Sequence, residues 1–243
     1  MSGQKLYEGK AKILYAVPGN SQLVVHDFKN SLTAFNGEKK GQFENKGKLN
    51  RDITSLIFRY LNSRGVSSHW VEDQGETGMV TKKLEIIPLE VVIRNVAAGS
   101  LAKRLGWPEG KELPQPIVEF YYKSDLLGDP LVNEDHIQIL NCCKPEELIY
   151  LRKMAQLINA ELTKLFQQVE FRLIDFKLEF GRDSSGQILL ADEVTPDTCR
   201  LWDLKTNEKF DKDRFRRDLG NIEDAYKEVY WRLTQLSESQ TRS

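Results

Sequence analysis

Two periods of hydrophobic and polar positions follow one another along this chain, and their order predicts a mixed α+β protein. Lys5–Phe28 carries short alternating runs broken at Pro18-Gly19-Asn20, the pattern of paired strands. Asn30–Gly41 is polar, contains glycine and reads as a loop. Leu49, Ile53, Leu56, Ile57 and Tyr60 then recur at helical spacing, so a helix is expected over Gln42–Asn62, closed by Gly65. Val66–Val71 and Met79–Ile87 read as strands, and a further strand, Leu89–Asn95, follows a connector at Pro88. Leu101–Leu105 has helical composition with Ser100 as its N-cap. Trp107–Pro116 reads as a loop, Ile117–Tyr122 as a strand and Lys123–Asn133 as a second polar loop. Pro145 suits a first helical turn, after which Leu148, Leu151, Ala155, Ile158, Leu162 and Leu165 form one apolar stripe. Asp211–Leu236 is expected as a last amphipathic helix, with Leu219, Ile222, Tyr226, Val229 and Leu233 inward and its charged face solvated. The polar tail Ser237–Ser243 is expected to fray.

The stretch Phe171–Asp203 carries the densest chemistry. In it Ile174, Phe176, Leu178 and Phe180 alternate with Asp175, Lys177 and Glu179. Successive side chains of a strand leave on opposite faces, so one face packs into a core while the other presents acid, base and acid in a row. Gly181–Gly186 is turn-forming. Gln187–Val194 reads as the returning strand of an antiparallel hairpin, which brings Asp192 and Glu193 towards that row. Two carboxylates about 4 Å apart repel by roughly 4 kcal/mol at an effective dielectric of 20, and Lys177 offsets only part of a cluster of Asp175, Glu179 and Asp192. Mg2+ is usually held by one or two carboxylates together with substrate phosphates. Alternating charge alone equally describes a solvated strand face laced with ion pairs. The loop Thr195–Arg200, which brings more charge to the same corner, favours a metal–phosphate site.

Weaker signals lie elsewhere. Gly9 followed by Lys10 and Lys12 is not a P-loop, which needs two glycines flanking four residues and then Lys-Ser/Thr. It reads as an exposed basic strand or as a segment lying over phosphates, since glycine permits close backbone approach. Lys82 shares a strand face with Val80, Leu84 and Ile86 and needs a phosphate, a carboxylate or a solvated strand end to satisfy it. Glu90 and Arg94 share a face, and Arg94 near Ser100 and a helix N-terminus suits an anion. The three histidines are not expected to cluster.

In 243 residues, Lys plus Arg (35) nearly balance Asp plus Glu (36), so no global field favours nucleic acid or an acidic membrane. No apolar run approaches a membrane span or signal sequence. Cys142, Cys143 and Cys199 form neither a disulfide framework nor a zinc pattern, which fits a reducing cytoplasm.

Three segments, Ile86–Ser100 (IIPLEVVIRNVAAGS), Leu173–Gly181 (LIDFKLEFG) and Asp192–Asp203 (DEVTPDTCRLWD), together resemble the SAICAR synthetase (phosphoribosylaminoimidazole-succinocarboxamide synthase) family in its small single-function form. LYEGKAK at Leu6–Lys12, KSDLLGDP at Lys123–Pro130 and DKDRFRRDLG at Asp211–Gly220 extend the likeness over nearly the whole chain. The resemblance implies a two-lobed α+β fold related to ATP-grasp enzymes and protein kinases. It places a β-rich nucleotide-binding lobe at residues 1–86 and a larger α+β lobe at residues 87–243. It implies an ATP-dependent ligase that joins L-aspartate to carboxyaminoimidazole ribonucleotide (CAIR), giving SAICAR, ADP and orthophosphate, in a cytoplasmic homodimer. By the same likeness Lys10, Ala11 and Lys12 lie over the ATP phosphates, the backbone at Leu84–Ile86 meets adenine, and Lys82 belongs to the ATP site. Glu179 and Asp192 hold Mg2+, Arg94, Ser100 and Arg200 bind the CAIR phosphate, and Asp175 and Lys177 stand at its reacting end. Asn36 replaces an Asp found in some members. Lys123 and Asp129 are guesses for the substrate aspartate.

Two rival readings remain open from sequence. Asp-x-Lys-x-Glu with a later Asp is also kinase-like in spacing, although no His-Arg-Asp precedes it. A nucleotide-binding regulatory module without turnover would use the same residues.

Overall fold

The computed structural model describes residues 3–241, and every strand pairing in its three sheets is antiparallel. The first sheet begins as a meander of β1 (Lys5–Glu8), β2 (Lys12–Val17) and β3 (Asn20–Phe28). A separate hairpin of β4 (Ser31–Ala34) and β5 (Lys39–Gln42) then occupies most of the expected Asn30–Gly41 loop. It forms because Leu32 and Ala34 alternate with Ser31 and Thr33 and are buried at 2% and 6% exposure. Helix α1 (Lys46–Ser63) follows, and β6 (Trp70–Gln74) with β7 (Gly78–Lys82) returns to β3, giving the order β1-β2-β3-β7-β6.

Val66–Ser68 is not a strand. Its backbone instead stitches onto a distant element, His69 donating to Leu190 O (2.9 Å) and Leu190 donating to Ser67 O (3.0 Å). The run Met79–Ile87 is divided. Strand β7 ends at Lys82, Lys83 and Leu84 cross between sheets, and β8 (Glu85–Val96) opens the second sheet. Pro88 lies inside β8 rather than in a connector. A register shift between Glu179 and Gly181 of the neighbouring strand falls opposite it, so the missing N–H disrupts an already irregular ladder.

The next elements are α2 (Gly99–Leu105), β9 (Glu112–Tyr122), β10 (Leu131–Val132), α3 (Glu134–Ile139) and α4 (Pro145–Gln168). Strand β9 starts within the expected proline-rich loop. It tolerates Pro114 and Pro116 because its outer neighbour, β10, is only two residues long. Strand β11 (Phe171–Arg182) is the spine of the second sheet. It pairs with β8 along one edge, and along the other with β12 (Ile188–Ala191) and β13 (Cys199–Asp203). Helix α4 covers this sheet with the predicted stripe, all six residues being at most 6% exposed. At about 1.5–3 kcal/mol per buried large aliphatic side chain, that stripe dominates the local energetics. Ile53, Ile57 and Phe58 of α1 join the same core as Ile87, Val91 and Phe171, so α1 shares its apolar interior with the second sheet.

The expected helix over Asp211–Leu236 is two helices, α5 (Asp213–Arg216) and α6 (Ile222–Thr241). Asp218, Gly220 and Asn221 between them have φ of 54°, 72° and 49°, left-handed values no helix interior accommodates. Leu219 is consequently exposed at 47%, and Asp211 and Asp213 are buried rather than solvated. Helix α6 extends into the tail as far as Thr241; residues 242 and 243 lie outside the described part. No helix among the described residues is long and apolar enough to cross a membrane.

Candidate active site

Asp175 and Lys177 on the charged face of β11 line a cleft of about 550 Å3, lined also by Lys10 and Ala11, the β4–β5 hairpin, and residues of β8, β9, the β12–β13 loop and α5. Register sets its floor. Asp175 lies opposite Arg94, and Glu179 opposite Glu90, which in turn lies opposite Tyr121 of β9. The result is two poles joined by one strand.

At the arginine pole Asp175 (3% exposed) accepts Arg94 Nη1 at 2.9 Å, and Arg200 Nη1 at 3.0 and 2.9 Å on its two oxygens. Arg94 also donates through Nε to Glu119 (2.7 Å) and through Nη2 to Ser100 Oγ (2.9 Å) and Tyr121 OH (3.0 Å). Ser100 is therefore not the helix cap. Ala98 holds that position without a side-chain bond, and the Ser100 hydroxyl serves Arg94. Gly99 (φ 51°) leaves room for Arg200, whose Nη2 would stand 2.5 Å from a Cβ placed there. Burial would lower the Arg200 pKa, but Asp175 and Asp213 together raise it, so the guanidinium stays charged.

At the lysine pole Lys177 Nζ lies 2.9 Å from Glu90, 3.1 Å from Glu179 and 4.0 Å from Asp192. Lys12 Nζ lies 2.5 Å from Asp192 and 3.5 Å from Glu193, and Lys123 pairs with the other oxygen of Glu179. Three ammonium groups thus face four carboxylates. Lys177 offsets only part of the cluster, and the further positive charge comes from Lys12 and Lys123, on strand and loop segments distant in sequence. Burial pulls the Lys177 pKa down, yet Glu179, Glu90 and Asp192 raise it well above the usual lysine value. Lys177 is therefore a fixed cation at neutral pH, not a base. Burial opposes ionisation of Asp192, but Lys12, Lys177 and Lys123 hold it below the usual carboxylate range. Burial raises Glu193.

Glu179 of β11 and Asp192, just past the end of β12, meet at the Lys177 ammonium, so two anionic groups converge where a cation sits. That donor set suits Mg2+ completed by phosphate oxygens. Among the described residues no group of three or more His, Cys, Asp or Glu forms a metal cluster.

The remaining predicted residues fall in several places. Lys10 lines the cleft and pairs with Asp125 at 2.7 Å. Lys82, Leu84 and Ile86 lie along the crossing between sheets, where Ile86 faces Gly181 just beyond Glu179. Lys82 is exposed at the end of its strand, so the apolar-face argument does not hold for it. Asp129 lines the cleft and accepts Ser124 N–H at 2.8 Å. Asn36 sits in the 3-10 turn Phe35–Gly37, and its side chain lies outside the described part.

Sequence reasoning passed over a second layer. Asp197 accepts Lys46 (2.6 Å), Asn50 (2.9 Å) and Tyr226 (2.7 Å), gathering α1 and α6 behind the β12–β13 loop. Lys212 and Arg216 line the cleft from a segment read as solvated helix. His26 and His69 do meet, with ring centroids 5.2 Å apart; burial keeps both neutral, His69 falling to about 3. The signal available for Asp197, Lys212 and Arg216 was the density of charge at 195–200 and 211–218, which periodicity alone does not resolve.

A cleft bordered by an arginine–carboxylate pole and a lysine–carboxylate pole on one strand suits an enzyme of phosphorylated substrates, and comparison specifies the class. The family model for SAICAR synthetase matches residues 5–233. The phosphoribosylaminoimidazole-succinocarboxamide synthase of Bacillus subtilis (strain 168) is 54% identical over 233 residues, covering 96% of each chain. The solved phosphoribosylaminoimidazole-succinocarboxamide synthase of Ehrlichia chaffeensis superposes with a TM-score of 0.93 at 44% identity, covering 95% of this chain and 98% of that one. A SAICAR synthetase (Type-2) in complex with ADP superposes at 0.91 with 45% identity, covering 94% and 97%. The chain belongs to the SAICAR synthetase family. Its activity is that of an ATP-dependent ligase of purine biosynthesis, phosphoribosylaminoimidazole-succinocarboxamide synthase.

Proposed function

We propose that the cleft takes ATP at its lysine pole and CAIR at its arginine pole, and joins L-aspartate to the CAIR carboxylate. One observation carries this reading. Asp175, Lys177 and Glu179 share a strand face, with Asp175 held by the arginines, Glu179 held by the lysines and Lys177 between them. Lys10, Ala11 and Lys12 would cover the ATP phosphates, with Lys82 at the margin and the backbone of Leu84–Ile86 against adenine. The ADP complex of a relative supports a nucleotide here. Arg94, Ser100 and Arg200 would take the CAIR phosphate, with Lys212 and Arg216 in reach of the same end.

A carboxylate does not accept an amine unaided, because oxide is a poor leaving group. The CAIR carboxylate oxygen attacks the γ-phosphorus, the bond to ADP breaks, and an acyl phosphate forms. The aspartate amine then attacks the acyl carbon; the C–N bond forms, the C–O bond to phosphate breaks, and the proton lost by the amine ends on the departing orthophosphate. Mg2+ held by Glu179 and Asp192 would neutralise charge on the transferring phosphoryl group. Lys177 stabilises negative charge developing at the reacting carboxyl. Asp175, whose oxygens are occupied by guanidinium donors, orients the substrates within the cleft. The lobes would divide at residues 86 and 87. A cytoplasmic homodimer follows from the family likeness, and sedimentation tests it.

The deciding assay follows ADP and orthophosphate with CAIR, aspartate or ATP omitted in turn. Phosphate released only when CAIR and aspartate are both present supports the ligase. A stable phosphorylated acceptor would establish the kinase reading, and binding of ATP–Mg2+ without release a regulatory module.

A further inference from the structure

Asp213 is 1% exposed, although every residue of 211–218 except Phe215 is charged. Its carboxylate gathers three guanidiniums: Arg200 Nε at 3.0 Å, Arg216 Nη1 at 2.6 Å and Arg217 Nη2 at 3.2 Å. Its backbone N–H donates to Asp211 Oδ1 (2.7 Å), and Asp211 Oδ2 accepts Leu201 N–H (2.9 Å), which fixes α5 beside the residue after Arg200. Arg200 is thereby gripped at both ends, by Asp213 at Nε and by Asp175 at Nη1. Arg200 Nη2 and the Nε and Nη2 of Arg216 have no hydrogen-bond partner among the described residues. Both arginines line the cleft and an adjoining 850 Å3 cavity beside Gly99 and Ser100. Adjacent guanidiniums repel, and a long side chain gains rotamer freedom by swinging into solvent. A single buried carboxylate removes both tendencies.

We infer that Asp213 is a positioning residue which holds Arg200 and Arg216 side by side, so that their spare N–H groups converge on the phosphate of the ribonucleotide substrate. It touches no substrate itself. The inference rests on the proposed reading of Arg200 as a phosphate ligand.

Steady-state kinetics on the full-length Asp213→Asn and Asp213→Glu enzymes test it. Asp213→Asn is expected to raise KM for CAIR about tenfold or more while KM for ATP stays within about twofold, the split that loss of substrate binding produces. Asp213→Glu, which keeps the charge but moves it, is expected to lie between that variant and wild type. Should Asp213→Asn not accumulate folded, a several-fold selective rise in KM for CAIR in Asp213→Glu supports the inference, and an unchanged KM overturns it. Proportional rises in both KM values with a lowered melting temperature would mean a merely structural role. Arg200→Lys separates the two ideas. If it leaves KM for CAIR unchanged, the phosphate reading fails; if it raises KM while the Asp213 variants do not, only the positioning role fails.

Discussion

Lys177 does at the scale of one side chain what the site does as a whole, since its ammonium draws together carboxylates of β8, of β11 and of the residue after β12. Because those acids raise its pKa, it remains charged across the neutral range and contributes a fixed positive potential. Lys177→Ala is expected to lower turnover by roughly 100-fold or more, the scale of losing one electrostatic stabiliser, while ATP binding stays measurable by calorimetry. Near-normal turnover would remove Lys177 from the chemistry. The alternation around it was fully legible, because a period of two in seven residues has one structural meaning. Glu179 and Asp192 were legible as its neighbours; Glu90 was not, since it reaches Lys177 only through the pairing of β8 with β11.

Ion pairs also join one element to another, as where α4 meets the end of β11. Arg182 grips Glu147 in the first turn of α4 through Nε (2.6 Å) and Nη2 (2.7 Å). The Arg182 hydrogen bonds outweigh burial and hold Glu147 at about 2. A carboxylate depressed in the fold stabilises it fully above its unfolded value near 4.5, and that stability is lost as pH falls towards about 2. Glu147→Gln is therefore expected to cost on the order of 1–2 kcal/mol at pH 7. Denaturant melts at pH 7, 5 and 3 check it: the gap from wild type should close on acidification, and a gap constant with pH would remove the ion pair as its cause. The apolar stripe of α4 was readable to the residue. The break between α5 and α6 was not, because Asp218, Gly220 and Asn221 adopt left-handed φ values inside a sequence whose apolar positions still suit a helix.

For the molecule as a whole, a nucleotide in the proposed position between the first sheet and β11 would add contacts to both. Ligand that binds only the folded state stabilises it by about 2.7 kcal/mol at 100 times its Kd. Saturating ATP with Mg2+ is expected to raise the melting temperature of the wild type by several degrees. Asp192→Asn, which unpairs Lys12 and removes a proposed metal ligand, should abolish most of that rise. An equal rise in the variant would place the nucleotide elsewhere. The α+β class was readable because each long element has its own period. The joining of the two sheets at Ser67, His69 and Leu190 was not, since it depends on contacts between residues far apart in the chain.

The reciprocal backbone bonds between Ser67, His69 and Leu190 give the chain a second join beside its covalent crossing at Lys83 and Leu84. Cutting the polypeptide at that crossing would not release two modules. The fragments would stay clasped through Leu190 and through the interior that α1 shares with the second sheet.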